Sequence, residues 1–261
     1  MLSDFQMIKH QFEKGITIIP VSDVHVGAIE HCKAEWEAFC KQVLDSQDTY
    51  LILGGDLVNN SVRTSVANPF DETIRPREQK KLMVEHLKPI KDRILCAVSG
   101  NHEARTTKDS DMDITYDIMS KLDIEDIYRE NAAFMKLVCG RYPYGGSRCA
   151  YTFCVTHGAG GGIFTGAAVN RNERFGNIID GLDCLVVGHT HKGTVTKPSK
   201  IVIDPMSEQV SIKSYTVVSC VSWLNYGGYA IRKMLLPAES SNPQKLILSD
   251  RQHKKSIEVR W

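Results

Sequence analysis

The sequence lacks any apolar run of the roughly 18 residues that a membrane-spanning helix needs. It also lacks the uninterrupted apolar segment of a signal peptide, because Asp4, Lys9 and His10 are mixed with apolar residues near its start. Its eight cysteines include no C-x-x-C pair, and several fall inside strand-like apolar runs. This usage is typical of buried free thiols in a reducing compartment. We therefore expect a cytoplasmic protein without a membrane partner.

Charge of one sign is also scarce, since the formal net charge is +1 at pH 7. A chain this close to neutral has no general attraction for nucleic acid or membrane, so any polyanion must bind at a local patch. No internal repeat or low-complexity segment stands out. With 42% hydrophobic and 24% charged residues, the chain of 261 residues can bury one large core. We expect a single domain over residues 1–261.

Five short apolar runs end in small and polar residues. The run 51–53 is followed by Gly54-Gly55-Asp56. The other four are 16–21 before Ser22-Asp23-Val24-His25, 94–98 before Gly100-Asn101-His102-Glu103, 151–155 before Thr156-His157-Gly158, and 185–187 before Gly188-His189-Thr190-His191. Ligand sites in open α/β sheets lie at the carboxyl ends of buried parallel strands. The pattern therefore predicts that these five strand ends meet at one site.

Helical periodicity separates the first three of these strands. Apolar residues recur at helical spacing after the first strand, at Trp36, Phe39, Cys40, Val43 and Leu44. A polar loop over 59–71 follows the second strand, and Pro76 then begins a helix that continues over 78–88. The order β-α-β-α-β predicts a parallel sheet with right-handed crossovers.

The rest of the chain is richer in strand patterns. After the polar stretch 105–111, helical spacing over 114–122 follows Asp111 and Asp113 as candidate caps. Segments 132–139 and 148–155 alternate like two strands joined through 142–146, which predicts a hairpin. A glycine-rich loop over 158–162 precedes another helix. Beyond His191, segments 194–203, 210–218 and 245–248 predict a second sheet packed on the first.

The polar residues at the strand ends form a set suited to metal binding. Its members are His25, His102, His157, His189, His191, Asp23, Asp56 and Asn101. This mixture of imidazole and oxygen donors suits Zn, Mn or Fe rather than Ca. An oxygen of Asp56 can bridge two ions, and two metals about 3.5–4 Å apart can clamp the attacking and leaving oxygens of a phosphoryl displacement.

In these motifs the sequence resembles the calcineurin-like metallophosphoesterase superfamily, whose pattern is D-x-H, G-D-x-x-D/N, G-N-H-D/E, a lone His and G-H-x-H. All five blocks occur in this order between Asp23 and His191. The resemblance implies an α/β four-layer sandwich, in which two mixed β-sheets are flanked by helices. It implies two divalent metal ions, with Mn expected in vitro and Zn or Fe as alternatives. One ion would be held by Asp23, His25, Asp56 and His191, and the other by Asp56, Asn101, His157 and His189.

The resemblance also implies catalytic roles. A hydroxide that bridges the two ions would be the nucleophile, and His102 would point at the substrate, as a charge stabiliser or as the acid for the leaving oxygen. The family often has Asp where Asn59 stands, and Asn59 can hydrogen-bond His102 but supplies no charge. Arg105 is a candidate phosphate contact. Asn60 and Ser61 follow Asn59 in place of the arginine of Ser/Thr protein phosphatases, which disfavours that subfamily.

The leading hypothesis is a phosphoesterase that cleaves phosphodiesters of DNA, RNA or nucleotides. A phosphomonoesterase or cyclic-nucleotide phosphodiesterase is the alternative, and a non-catalytic metal-site scaffold that binds a protein partner is the alternative from another class. The glycines at 158–162 do not complete the dinucleotide-binding pattern G-x-G-x-x-G, because Ile163 stands at the third glycine. The aromatic stretch 223–229 looks like stretches in phage and prophage phosphoesterases, and its rings either stack on a base or lie buried between the sheets.

Overall fold

The computed structural model describes residues 3–63, 65, 69–140, 148–251 and 255–261. Within these ranges the α-helices are α1 (Lys33–Asp45), α2 (Pro76–Leu87), α3 (Glu103–Ser110), α4 (Ile114–Lys121), α5 (Thr165–Asn177) and α6 (Gly228–Arg232). The strands are β1 (Ile8–Phe12), β2 (Ile16–Val21), β3 (Thr49–Leu53), β4 (Ile94–Val98), β5 (Tyr128–Arg129), β6 (Ala132–Cys139), β7 (Cys149–Thr156), β8 (Cys184–Val187), β9 (Thr194–Thr196), β10 (Ser199–Asp204), β11 (Gln209–Ser214), β12 (Thr216–Ser219), β13 (Lys245–Leu248) and β14 (Ile257–Arg260).

The first large sheet has the strand order β14-β13-β2-β3-β4-β5. Strands β2 to β5 are parallel to one another, and β13 pairs antiparallel with both β2 and β14. All five residues of β4 are buried. A parallel strand covered on both faces needs a continuous apolar run, which explains the sequence Ile-Leu-Cys-Ala-Val of β4.

The second large sheet has the order β1-β6-β7-β8-β12-β9. Here β7, β8 and β12 are parallel neighbours, while β6 and β9 pair antiparallel with β7 and β12. Alternate residues of β8 face opposite ways: Val186 joins the core between the sheets, whereas Leu185 and Val187 pack with Tyr215 in a separate outer cluster. Helix α5 covers that outer face, where the Tyr215 hydroxyl donates to the carbonyl of Glu173.

Helices α1, α2 and α4 supply the other outer layer. Their buried residues Trp36, Met83 and Ile118 belong to the large core cluster that includes both sheets. The Asp113 side chain caps α4 by accepting a 2.9 Å hydrogen bond from the N–H of Tyr116. The molecule is therefore an α/β sandwich with two mixed sheets flanked by helices, which confirms the predicted fold class.

Several details differ from the sequence-based expectations. The second sheet is not built from the C-terminal part of the chain alone, because it begins with β1 and contains β6 to β8. The predicted strands 194–203 and 210–218 are each divided in two, since β10 and β11 form a separate two-stranded sheet. Pro198, which has no N–H to donate, stands at the first division.

Smaller corrections concern single segments. The polar stretch 105–111 lies largely in α3, and Leu44 of α1 is 51% exposed rather than buried. Strands β6 and β7 pair antiparallel as expected, and the turn at 142–146 lies outside the described residues. All eight cysteines, each within the described ranges, are unpaired. None of the helices that the described residues form has both the length and the apolar character to cross a bilayer.

Candidate metal centre

Five strand ends from both sheets meet at one edge of the sandwich. Strands β2, β3 and β4 of the first sheet and β7 and β8 of the second lead into it. Two hydrogen bonds join the sheets there: His157 Nδ1 donates to the carbonyl of Gly54 at 2.8 Å, and the N–H of His189 donates to Asp23 Oδ2 at 2.9 Å. The sequence-based expectation of converging strand ends describes this arrangement, although the strands come from two sheets.

Asp56 lies at the centre of this edge and is 1% exposed. Its Oδ2 lies 3.3 Å from His157 Nε2 and 3.8 Å from Nε2 of both His25 and His102. Its Oδ1 accepts the backbone N–H of His102 at 2.8 Å. One carboxylate therefore faces imidazoles on two sides, as a bridging ligand would.

A first group of donor atoms lies on one side of Asp56. His25 Nε2 and His191 Nε2 are 3.3 Å apart and lie 3.8 Å and 3.1 Å from Asp23 Oδ1. This buried oxygen has no hydrogen-bond partner among the described residues. A buried anionic oxygen without a donor is costly, so its position beside two ring nitrogens fits a cation ligand.

A second group lies on the other side. Asn101 Oδ1 lies 3.0 Å from His157 Nε2 and 2.6 Å from His189 Nδ1. The two ring nitrogens are themselves 3.3 Å apart. Because Nδ1 of His157 bonds to Gly54, its Nε2 is the nitrogen that faces the group, whereas His189 turns its Nδ1 inward. The seven residues predicted as ligands are therefore all brought together, in the two expected groups around Asp56.

The backbone of these residues is held in an unusual conformation. Asp23, His25, Asp56, His189 and His191 have positive φ values of 56°, 49°, 51°, 69° and 56°. The left-handed region is uncommon for residues other than glycine and costs on the order of 1–3 kcal/mol per residue. Such strain persists where surrounding structure enforces it, and its concentration at one edge indicates a functional site.

Two glycines allow the loops to approach closely. A Cβ on Gly100 would lie 2.1 Å from Asp56 Oδ1, and one on Gly188 would lie 2.1 Å from Ser22 Oγ. Ser22 Oγ is fixed by the carbonyls of Gly54 and Gly55 at 3.1 and 3.2 Å. Any side chain at either glycine would push apart loops that carry the donor atoms.

The electrostatics of the group favour a cation. Burial raises the pKa of Asp23, but the neighbouring His191 and His25 rings outweigh it and hold that pKa well below its usual range. Burial lowers the pKa of His157, but the Asp56 carboxylate outweighs it and raises the pKa to about 10. The carboxylates therefore draw a proton onto His157, and a divalent ion would replace that proton, because metal ligands bind as neutral imidazoles. The donor set fits the two ions implied by the sequence.

His102, Asn59 and Arg105 lie beside the donor groups. His102 Nδ1 donates to the backbone carbonyl of Asn59 at 2.7 Å, and Arg105 Nη1 donates to the same oxygen at 3.1 Å. The Asn59 side chain points elsewhere and donates to Glu72 and Ser61. Asn59 thus orients His102 through its backbone, which corrects the expectation of a contact through the side chain.

The His102 ring is neutral in this setting. Burial lowers its pKa to about 3, the charge of Asp56 opposes this, and His25 and Arg105 add to the lowering. With Nδ1–H bonded to Asn59, the Nε2 atom faces Asp56, and the side chain is 17% exposed. His102 can therefore reach both the metal group and a molecule that enters from solvent.

Glu103 is a functional residue for which sequence reasoning assigned no role. Its carboxylate is fully buried and accepts three backbone N–H groups, from Asp56 at 3.0 Å, Val58 at 3.1 Å and Gly100 at 3.0 Å. Burial and the charge of Asp56 raise its pKa to about 7. The signal was its position in the Gly-Asn-His-Glu motif. Glu103 holds the loops after β3 and β4 in register.

The family comparison agrees with this geometry, and two solved structures are similar to the chain. The sequence model of the family described as calcineurin-like phosphoesterase matches residues 16–193. No curated protein matches the sequence. A solved structure of a conserved uncharacterized protein from Streptococcus pneumoniae TIGR4, described as a predicted phosphoesterase, is 12% identical with a TM-score of 0.38, and the match covers 94% of this chain and 98% of that one. NAD nucleotidase from Haemophilus influenzae is 10% identical with a TM-score of 0.41, and the match covers 95% of this chain and 49% of the nucleotidase.

Proposed function

We propose that this chain hydrolyses phosphodiesters of nucleic acid or nucleotides. It belongs to the calcineurin-like phosphoesterase family, whose sequence model matches 178 of its 261 residues (16–193). It is therefore a metal-dependent phosphoesterase. The observation that carries the proposal is the convergence of six donor residues around a seventh, Asp56. Asp23, His25, Asp56 and His191 would hold one divalent ion, and Asp56, Asn101, His157 and His189 the other. Mn is the metal proposed for assays, with Zn and Fe as the alternatives.

The charge of the centre supports a diester. Two divalent ions, the carboxylates of Asp23 and Asp56 and an attacking hydroxide would together leave about one positive charge. A diester carries one negative charge and a monoester up to two. The nearly balanced centre therefore suits the monoanionic diester, and the guanidinium of Arg105 is already engaged with the Asn59 carbonyl.

When bound, the two ions would polarise the phosphate and lower the pKa of a water molecule that attacks it. Other residues of this chain hold the ligand side chains in position. The carbonyl of Gly54 fixes the ring of His157, and Glu103 fixes the backbone that carries Asp56. Such partners behind the ligands keep the donor atoms in place before the ions arrive, which reduces the reorganisation that catalysis requires.

His102 is the proposed substrate contact. Its Nε2 faces the centre while Nδ1–H is held by Asn59, so the ring cannot turn freely. As a neutral ring, Nε2 accepts a hydrogen bond, and after taking a proton it would donate to a phosphate oxygen or to the leaving oxygen. Arg105 is the proposed positioning residue, because it donates to the same carbonyl that orients His102.

The proposal is tested by hydrolysis of bis-p-nitrophenyl phosphate and p-nitrophenyl phosphate with Mn, Zn or Fe, followed by single- and double-stranded DNA, RNA and cyclic nucleotides. We expect a higher kcat/KM for the diester than for the monoester. Preference for the monoester would contradict the proposal. Two bound ions with no hydrolysis of any of these substrates would indicate a scaffold instead. A cytoplasmic location and a single domain over residues 1–261 stay predictions.

A further inference from the structure

A cavity of about 220 Å³ is lined in part by Lys192, the residue after His191 of the metal centre. Its walls are Thr165, Lys192, Leu236, Pro237, Glu239 and Trp261, with Gly193 and Ala238 between them. Lys192 directly follows His191 of the metal centre, so their Cα atoms are about 3.8 Å apart. The cavity therefore begins one residue from a proposed ligand and is not part of the donor groups.

The sheet order explains why Trp261 reaches this edge. Trp261 follows β14, which runs in the same direction as β2 because both pair antiparallel with β13. Arg260 pairs with Lys245, and the next residue of β13, Leu246, pairs with Ile18 of β2. Trp261 is therefore level with the end of β2 and two strands away, about 10 Å at the usual spacing of ~4.8 Å.

The indole of Trp261 is packed on one side and open on the other. A Cβ on Gly193 would lie 2.7 Å from the ring, so the absence of a side chain at 193 lets the indole rest on the backbone. The residue nevertheless stays 53% exposed, and it lines the cavity together with the aliphatic Leu236 and Pro237. An exposed aromatic ring beside apolar groups is a surface on which a planar ring can stack.

The polar groups of the cavity favour a heterocyclic base over a phosphate as its ligand. Glu239 offers carboxylate oxygens, one of which accepts from Asn242 at 2.7 Å, and Lys192 offers an ammonium that donates to the carbonyls of Gly162 and Ile163. The carboxylate would repel a phosphate placed in this cavity. A heterocyclic base carries both donors and acceptors on its edge and no negative charge, so it suits this mixture.

We propose that the cavity beside Lys192 is a subsite for a nucleobase, which stacks on Trp261 while its phosphate lies at the metal centre. The inference rests on the proposed phosphodiesterase function and names the substrate part that gives selectivity. The base belongs to the nucleoside attached to the scissile phosphate, because Lys192 and His191 are adjacent in the chain.

The test compares two substrates with the same leaving group and the same charge: thymidine 5′-(p-nitrophenyl phosphate) and methyl p-nitrophenyl phosphate. The measured quantity is the ratio of their kcat/KM values. For Trp261→Ala we expect the ratio to fall by roughly 5- to 150-fold, the range found when a base loses its aromatic stacking partner. Trp261→Phe should restore most of the preference. Tyr116→Ala is the matched control, since Tyr116 is 47% exposed on α4, away from the cavity.

A second variant guards against misfolding of Trp261→Ala. Ala238→Leu fills part of the cavity with a larger side chain and leaves the indole unchanged. It should therefore also lower the ratio of kcat/KM values. An unchanged ratio in Trp261→Ala and Ala238→Leu overturns the subsite while leaving the phosphodiesterase function intact. Hydrolysis of neither ester by the wild type refutes the proposed function.

A binding measurement then decides the subsite independently of activity. Trp36 and Trp223 are 0% and 1% exposed, so quenching of tryptophan fluorescence by thymidine monophosphate reports on Trp261. Saturable quenching that is lost in Trp261→Phe supports the subsite. Quenching that is absent or does not saturate overturns it.

Discussion

Asp56→Asn removes a negative charge from the centre with almost no change in shape. Asp56 Oδ1 accepts the N–H of His102 at 2.8 Å, and the amide oxygen of asparagine can keep that bond. The other oxygen, 3.3 Å from His157 Nε2, would become an NH₂ group that points donors at the ligand nitrogens. The variant therefore tests the charge and the acceptor at one position of an otherwise unchanged backbone.

The expected loss is large because the group is buried. Two unit charges about 4 Å apart interact by about 4 kcal/mol at an effective dielectric constant of about 20. The attraction that Asp56→Asn removes from each divalent ion is therefore at most about 8 kcal/mol. The amide oxygen retains part of this. We expect at least a ~10²-fold weaker affinity for both ions, more than the ~10- to 100-fold usual for residues behind the ligands. Turnover at a fixed metal concentration should fall at least as far.

The assay combines metal content by mass spectrometry, the rise in Tm on addition of Mn, and hydrolysis of bis-p-nitrophenyl phosphate. A ligand that binds the native state raises stability by RT ln(1 + [L]/Kd), so the Tm rise should shrink in the variant. Asp117→Asn is the matched control, because Asp117 of α4 pairs with Lys80 of α2 and is not a donor of the metal centre. If Asp56→Asn keeps two tightly bound ions and near-normal turnover, Asp56 is not the bridge and the assignment of the centre is wrong.

Three further predictions address other residues. His102→Ala should keep both ions but lose about 10²–10⁴ in turnover, and the loss should be smaller for a p-nitrophenyl than for an alkyl diester only if His102 donates a proton. Glu103→Gln should lower the free energy of urea unfolding by about 1–3 kcal/mol, since three backbone donors cannot all be satisfied by one amide oxygen. Burial lowers the pKa of His86, whose Nδ1 accepts a hydrogen bond from Trp36 at 2.9 Å. The neutral ring therefore stabilises the fold above pH ~6.5, and this stabilisation is lost as the pH falls through the lowered folded-state pKa. His86→Gln should therefore reduce the loss of unfolding free energy between pH 7.5 and 5.5, by at most about 1.4 kcal/mol per pH unit.

Each of these has an outcome that contradicts it. Unchanged turnover of His102→Ala on both diesters would remove His102 from the mechanism. Wild-type stability of Glu103→Gln would show that the buried carboxylate does not hold the loops. An identical pH dependence for His86→Gln and the wild type would show that His86 takes up a proton without loss of stability.

The sequence was most informative where one local rule decided the outcome. The run Ile16 to Val21 is the strand β2 with the predicted bounds, and Asp113 caps α4. Strand ends followed by Asp or His were enough to predict which side chains meet, because the parallel strands of both sheets end at the same edge of the sandwich. The resemblance to the family then assigned these side chains to two donor groups without any knowledge of distances.

The sequence was least informative where long-range pairing decides the outcome. The segment 257–260 is half polar and exposed, and it becomes β14 only because β13 offers an edge. Likewise, nothing local in Asn59 shows that its carbonyl, rather than its amide, holds His102. Backbone contacts such as this depend on the left-handed residue that follows, Asn60, whose φ is 44°.

The left-handed backbone at the metal centre implies an evolutionary conflict between stability and function. Glycine would adopt the φ of 56° at Asp23 or 69° at His189 without strain, but it would delete the donor atom. Selection for stability alone would therefore remove the ligands, and selection for catalysis retains them at a cost of about 1–3 kcal/mol each. Proteins that descend from this one and lose catalysis should accumulate glycine at these positions first. They should melt at a higher temperature than the metal-free form of their active ancestor.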